Sequence, residues 1–259
     1  MTPGDLAADA RWTSRGWIRI GPHAQIAHWA AAAREHAKPA LDRAAWRAGG
    51  TWDVGLDALA NDADGSIADS PFPWNVLPLS PVPLHRAQVS TLRPGYPQPD
   101  AAPDADAAAH RWRLNRDGAH LDGLIPEGLA RRRHIREPHA WILGIPLTPC
   151  DPGASPLVVW EGSHLILRAA LLAALAPYPP ANWPGVDVTD AYQSARARVM
   201  AECRRVKLPA CPGEATLVHR LLLHGVAPWQ SGAKAPPEGR MVAYLRPVMD
   251  SVQDWLTMP

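Results

Sequence analysis

The chain has 259 residues, with 26 Lys plus Arg against 25 Asp plus Glu and 47% hydrophobic residues. That is the make-up of a globular protein with one sizeable core, and it excludes a disordered or collagen-like chain. A formal net charge of +1 supplies no pull towards nucleic acid or an anionic membrane and points to small, near-neutral partners.

The opening Met1-Thr2-Pro3-Gly4-Asp5 lacks a basic segment followed by an apolar core, so no signal peptide is expected. Helical spacing of Ile26, Trp29, Ala30 and Ala33 predicts a helix over 24–37, stopped at Pro39 and packed on the outside of a sheet. A second short helix is also expected early in the chain. Short strands bounded by Gly, Pro or Asp are predicted at 17–20, 87–92, 141–147, 156–160, 215–219 and 241–245. Between Pro94 and Ala109 a Pro/Asp/Ala tract has no hydrophobic periodicity and reads as a mobile loop. Two helices follow at 163–176 and from Thr189, read as an N-cap, to about Arg205, the latter with Tyr192, Ala195, Val199 and Cys203 on one face. The most apolar helical stretch, 165–176, is well below the roughly twenty residues that span a bilayer. Cys150, Cys203 and Cys211 are too sparse for a disulfide scaffold, so a cytoplasmic protein with no membrane partner is expected. The layout predicts a single domain over 1–259, mainly β with added helices: a helical buttress at 1–48 and a helical insertion at 163–205.

Eleven histidines invite a search for pairs with metal-ligand spacing. In an extended segment, residues two apart project to one face, so His120 and Asp122 can share an ion while Leu121 points into packing. His224 stands at the end of an apolar run, before a Gly225 that permits a tight turn. Two imidazoles and one carboxylate leave three positions of an octahedral ion open, the arrangement of non-haem Fe(II) oxygenases. Further on, Arg240 opens a strand and could grip a carboxylate through two parallel hydrogen bonds; Arg246 has the same parity and competes for that role. His164 reads equally as a cap or buried structural residue and as a donor orienting a ligand, whereas His219 and the Arg131–Arg136 cluster are read first as core and surface residues, with cosubstrate and anion-attracting roles as the alternatives.

The ordered set of motifs resembles the phytanoyl-CoA dioxygenase-like family of Fe(II)/2-oxoglutarate-dependent oxygenases. The resemblance runs from about residue 12 to 247. It rests on 12–20 as an opening aromatic, glycine and strand, Arg93-Pro94-Gly95, His120-Leu121-Asp122, Ala140-Trp141, Gly162-Ser163-His164, Pro212-Gly213-Glu214, Val218-His219, His224-Gly225 and Arg240. It implies a double-stranded β-helix, a cupin-like jelly roll, with His120, Asp122 and His224 holding Fe(II). It further implies Arg240 on the far carboxylate of 2-oxoglutarate, Trp141 walling that cosubstrate, and the 94–109 loop as a lid. The implied activity is hydroxylation of a small-molecule metabolite by O2, with release of succinate and CO2. Two alternatives stand beside it: a non-catalytic jelly-roll protein binding a metal or small ligand, and a cupin-like oxygenase that does not use 2-oxoglutarate.

Overall fold

The computed structural model describes residue 6, residues 9–101 and residues 107–258; the opening pentapeptide lies outside them. In chain order come α1 (Ala10–Arg15), β1 (Trp17–Ile20), α2 (Ala24–Leu41), β2 (Trp52–Leu59), β3 (Ala87–Leu92), α3 (Ala107–Arg116), β4 (Leu124–Glu127) and β5 (Arg132–Ile135). They are followed by β6 (Trp141–Pro146), β7 (Leu157–Trp160), α4 (Ser163–Leu175), α5 (Thr189–Glu202), β8 (Arg205–Leu208), β9 (Ala215–His219), β10 (His224–Val226), β11 (Arg240–Leu245) and α6 (Val252–Thr257).

The strands form two facing antiparallel sheets, a larger one in the order β1-β9-β6-β11-β3-β2 and a smaller one in the order β10-β7-β8; β4 and β5 form a separate hairpin. Each face of the double sheet has its own apolar layer. Ile26, Trp29, Ala30 and Ala33 of α2 share one cluster with Leu143, Ile145, Leu217 and Ala243, which is the outer face of the large sheet. Ile142, Val159, Leu208, Val218 and Leu222 fill the space between the sheets, with Tyr244 packed against them. Leu167 and Leu171 of α4, Tyr192 and Val199 of α5, and Trp255 of α6 cover Val158 and Trp160 on the outer face of the small sheet.

Three local expectations change. The second helix runs on through Pro39 to Leu41. A proline in the last turn loses a bond at the fraying end, where water can replace it, so it does not have to stop the helix. Thr189 is the first residue of α5, not its cap; Asp187 Oδ1 accepts from both the Thr189 N–H (2.9 Å) and its hydroxyl (2.6 Å). The 94–109 tract is not a free loop over its described part. Trp229 N–H donates to Tyr96 O at 2.7 Å, Gly49 N–H donates to Asp100 Oδ1 at 2.7 Å, and Tyr96 is 4% exposed. α3 takes over from Ala107, and residues 102–106 of that tract lie outside the described residues. Among the described residues, no helix is long and apolar enough to cross a membrane.

Candidate metal centre

His120 and His224 lie opposite each other on neighbouring strand segments. His120 N–H donates to His224 O at 2.8 Å and His224 N–H returns the bond to His120 O at 3.1 Å. A pair that exchanges both backbone bonds holds its two side chains on the same face, so the imidazole spacing is set by the main chain before any ligand arrives. Asp122, two residues on, shares that face, while Leu121 packs with α4 and α5 as the i, i+2 pattern requires. Gly225 makes the approach possible by a route other than a tight turn. A Cβ there would stand 2.3 Å from the Asp117 carbonyl oxygen, so any side chain would push the small sheet away from the 117–120 segment.

The ligand atoms of His120, Asp122 and His224 all lie within 4.8 Å of one another. Asp122 Oδ1 is 3.3 Å from His120 Nε2 and 3.7 Å from His224 Nε2. Each imidazole turns its Nδ1 to the backbone carbonyl two residues earlier: His120 to Gly118 O and His224 to Leu222 O, both at 2.9 Å. An Nδ1–H donated to a carbonyl leaves the lone pair on Nε2, which is the tautomer a metal needs. Two such lone pairs and a carboxylate oxygen converging on one point repel unless a cation sits among them. The donor set therefore fits a divalent transition metal.

Electrostatics follow from that crowding. Burial, then the charge of His120, pushes His224 down to about 4. Burial alone would raise Asp122, but hydrogen bonding to His120 when that ring is protonated, together with the charges of His224, His120 and Arg246, holds it well below the usual carboxylate range. The His120 side chain is 52% exposed, whereas those of Asp122 and His224 are 16% and 10% exposed, so the centre opens to solvent on the His120 side.

The other residues singled out in the sequence are distributed around this centre. Arg240 pairs with Leu92 of β3, and Leu92 belongs with Ala48 and Tyr96 to a small cluster against which Val226, two residues past His224 on β10, is packed. Arg240 shares the inward parity of Tyr244 on β11, opposite to that of Met241, Ala243 and Leu245, which belong to the outer layer. Arg240 borders a cavity of about 140 Å³ with Cys150, Pro156, Cys211 and Glu214, and its Nη1 is buried without a hydrogen bond. At the other end of the strand, Arg246 Nη1 lies 3.1 Å from Asp122 Oδ2. Trp141 is a correction: strand alternation puts it on the outer face with the α2 layer, edge-on to Trp74 at 6.4 Å, and Ile142 faces the interior instead. The inner wall beside Ile142 is Tyr244, whose ring occupies the space over Gly144, where a Cβ would come within 2.9 Å of it. Arg132, Arg133 and Arg136 of the arginine cluster are tied down structurally. Arg132 pairs with Asp187 and Asp190, Arg136 with Glu127, and Arg133 donates to Leu124 O.

Sequence reasoning found the triad but missed the two carbonyls that set its tautomers. Backbone atoms leave no mark in residue type, so no sequence signal could have named them.

No protein-family model matches the sequence, and no curated protein matches it. Among solved structures the chain is similar to the non-haem α-ketoglutarate-dependent carbocyclase SnoK from nogalamycin biosynthesis, at 14% identity over 98% of this chain and 90% of that one, with a TM-score of 0.51. It is also similar to EvdMO1, at 15% identity over 96% of this chain and 50% of that one, again with a TM-score of 0.51. The α-ketoglutarate-dependent epimerase SnoN gives 17% identity over 94% and 81%, with a TM-score of 0.49. The chain has the double-stranded β-helix fold of the non-haem iron, 2-oxoglutarate-dependent oxygenases, and carries a His-x-Asp…His triad between its sheets.

Proposed function

We propose that this single-domain protein, with 1–48 as buttress and 163–205 as insertion, is an Fe(II)- and 2-oxoglutarate-dependent dioxygenase. It hydroxylates a small-molecule metabolite with release of succinate and CO2. The observation that carries this reading is the convergence of two Nε2 lone pairs and one carboxylate oxygen, each imidazole locked by a backbone carbonyl. His120, Asp122 and His224 would hold the iron through two imidazole nitrogens and one carboxylate oxygen. Iron bound there supplies oxidative decarboxylation of the keto acid and oxidation of a substrate C–H bond.

The chain's own part is binding and exclusion. Arg240, on the inner parity of β11, receives the distal carboxylate; its unpartnered Nη1 supports that role. Ile142, Val218 and Tyr244 form an apolar wall that keeps water from the reacting carbon. His120, at the open side, marks where the substrate enters. All three cysteines are free, consistent with a cytoplasmic setting.

The test is anaerobic addition of Fe(II) and 2-oxoglutarate, which should give the weak visible charge-transfer band of a chelate, followed by succinate release on admitting oxygen and substrate. Metal binding with neither band nor succinate would instead identify a non-catalytic metal-binding jelly roll. Oxygen consumption without 2-oxoglutarate would identify the cupin-like alternative.

A further inference from the structure

Asp122 presents its two oxygens to different partners. Oδ1 faces both imidazoles, at 3.3 and 3.7 Å, and Oδ2 faces the Arg246 guanidinium at 3.1 Å. Both side chains are largely shielded, at 16% and 13% exposure. The backbone next to this arginine is also fixed, because His85 Nε2 donates to Arg246 O at 2.7 Å and Ala140 N–H donates to Pro247 O at 2.8 Å.

A carboxylate beside a metal can bind through one oxygen or two. If Asp122 chelated through both, it would take a fourth position on an octahedral ion and leave two. A keto acid that chelates through two atoms would then leave no position for oxygen. We propose that Arg246 is a positioning residue that holds Asp122 to one-oxygen ligation by occupying Oδ2, and so preserves the three open positions the reaction needs. The inference rests on the triad proposed above. It separates the two strand-β11 arginines: Arg240 acts on the cosubstrate, and Arg246 acts through the ligand. The positive charge of Arg246 also offsets that of Asp122, so a divalent ion keeps its full attraction for an anionic chelator.

The test uses Co(II) in the intact protein under anaerobic conditions, read by its d–d absorption spectrum with and without 2-oxoglutarate. Co(II) affinity does not decide the question, since removing a cation and freeing a carboxylate push it in opposite directions. Arg246→Met is expected to change the spectrum before any cosubstrate is added. It should also raise the 2-oxoglutarate concentration needed for the chelation change at least tenfold, in line with the usual effect of losing an outer partner of a metal ligand. Arg246→Lys, which keeps the charge on a more flexible single-point donor, should fall between the two.

A methionine variant with the wild-type spectrum and the wild-type requirement overturns the proposal. So does a lysine variant that restores both completely, because charge alone would then suffice. Asp122→Ala tells the two levels apart: if it leaves the Co(II) spectrum unchanged, the metal is not at the triad and that reading fails together with this one. Should the methionine variant not fold, Arg246→Gln carries the same comparison.

Discussion

Two histidine pairs in this chain have nearly the same spacing and opposite chemistry. The rings of His120 and His224 are 4.6 Å apart, and those of His164 and His219 are 4.7 Å apart. In the first pair both Nε2 atoms face a carboxylate, and the Nδ1 atoms are held by carbonyls. In the second pair the neighbours are cations: Arg168 Nη2 lies 3.1 Å from His219 Nε2, and the charges of Arg168 and Arg220 act on both rings. His164 Nε2 donates to Thr13 O, while His219 Nδ1 accepts from Leu221 N–H. Burial, reinforced by those charges, pushes His164 down to about 4 and His219 well below its ordinary value. Proximity of imidazoles does not make a metal site; a carboxylate and free lone pairs do.

The comparison breaks most decisively at the carboxylate. Asp122→Ala or His224→Ala should abolish substrate-dependent succinate formation while circular dichroism stays that of the parent; turnover in either variant would rule out the assigned ligands. His219→Ala removes the other pair and should leave the Co(II) spectrum intact. Arg240→Ala comes next in size. Losing a charge-assisted fork costs about 1.5–3 kcal/mol, or roughly a 10- to 100-fold rise in the 2-oxoglutarate requirement. The Co(II) spectrum without cosubstrate should not move, which is where this variant and Arg246→Met part company. An unchanged requirement would take the role away from Arg240.

How far the sequence could be read follows the same logic of faces and partners. The strands at 17–20, 87–92 and 215–219 were visible because compact β-branched or apolar runs end at Gly, Pro or polar punctuation. β2, β8 and β10 were not visible. β2 is interrupted by a register shift between Gly55 and Leu59, β8 is a half-exposed Arg-Val-Lys-Leu run, and β10 has three residues. The identities of His120, Asp122 and His224 were legible, but the pair of main-chain bonds that sets the two histidines face to face was not. Trp141 was misdirected because all six residues of β6 are buried, so alternation between an apolar and a polar face is lost. The contact of Arg246 with Asp122 joins positions far apart in sequence, and nothing local announces it.

The last expectation concerns the second pair alone. His164 is 2% exposed and titrates at about 4 in the folded chain, against 6.5 for a free imidazole. Between those values the unfolded chain binds a proton that the native one refuses, so native stability rises with pH across that window. Its contribution is fully present above pH 6.5 and is lost as the pH falls towards 4, by up to ~3 kcal/mol for a shift of this size. His219, also held neutral, steepens the same limb. Urea unfolding at intervals between pH 4 and 7 should therefore show an acid-side loss that His164→Phe makes shallower. The wild-type and variant curves would stay parallel if the first turn of α4 merely packs there without resisting protonation.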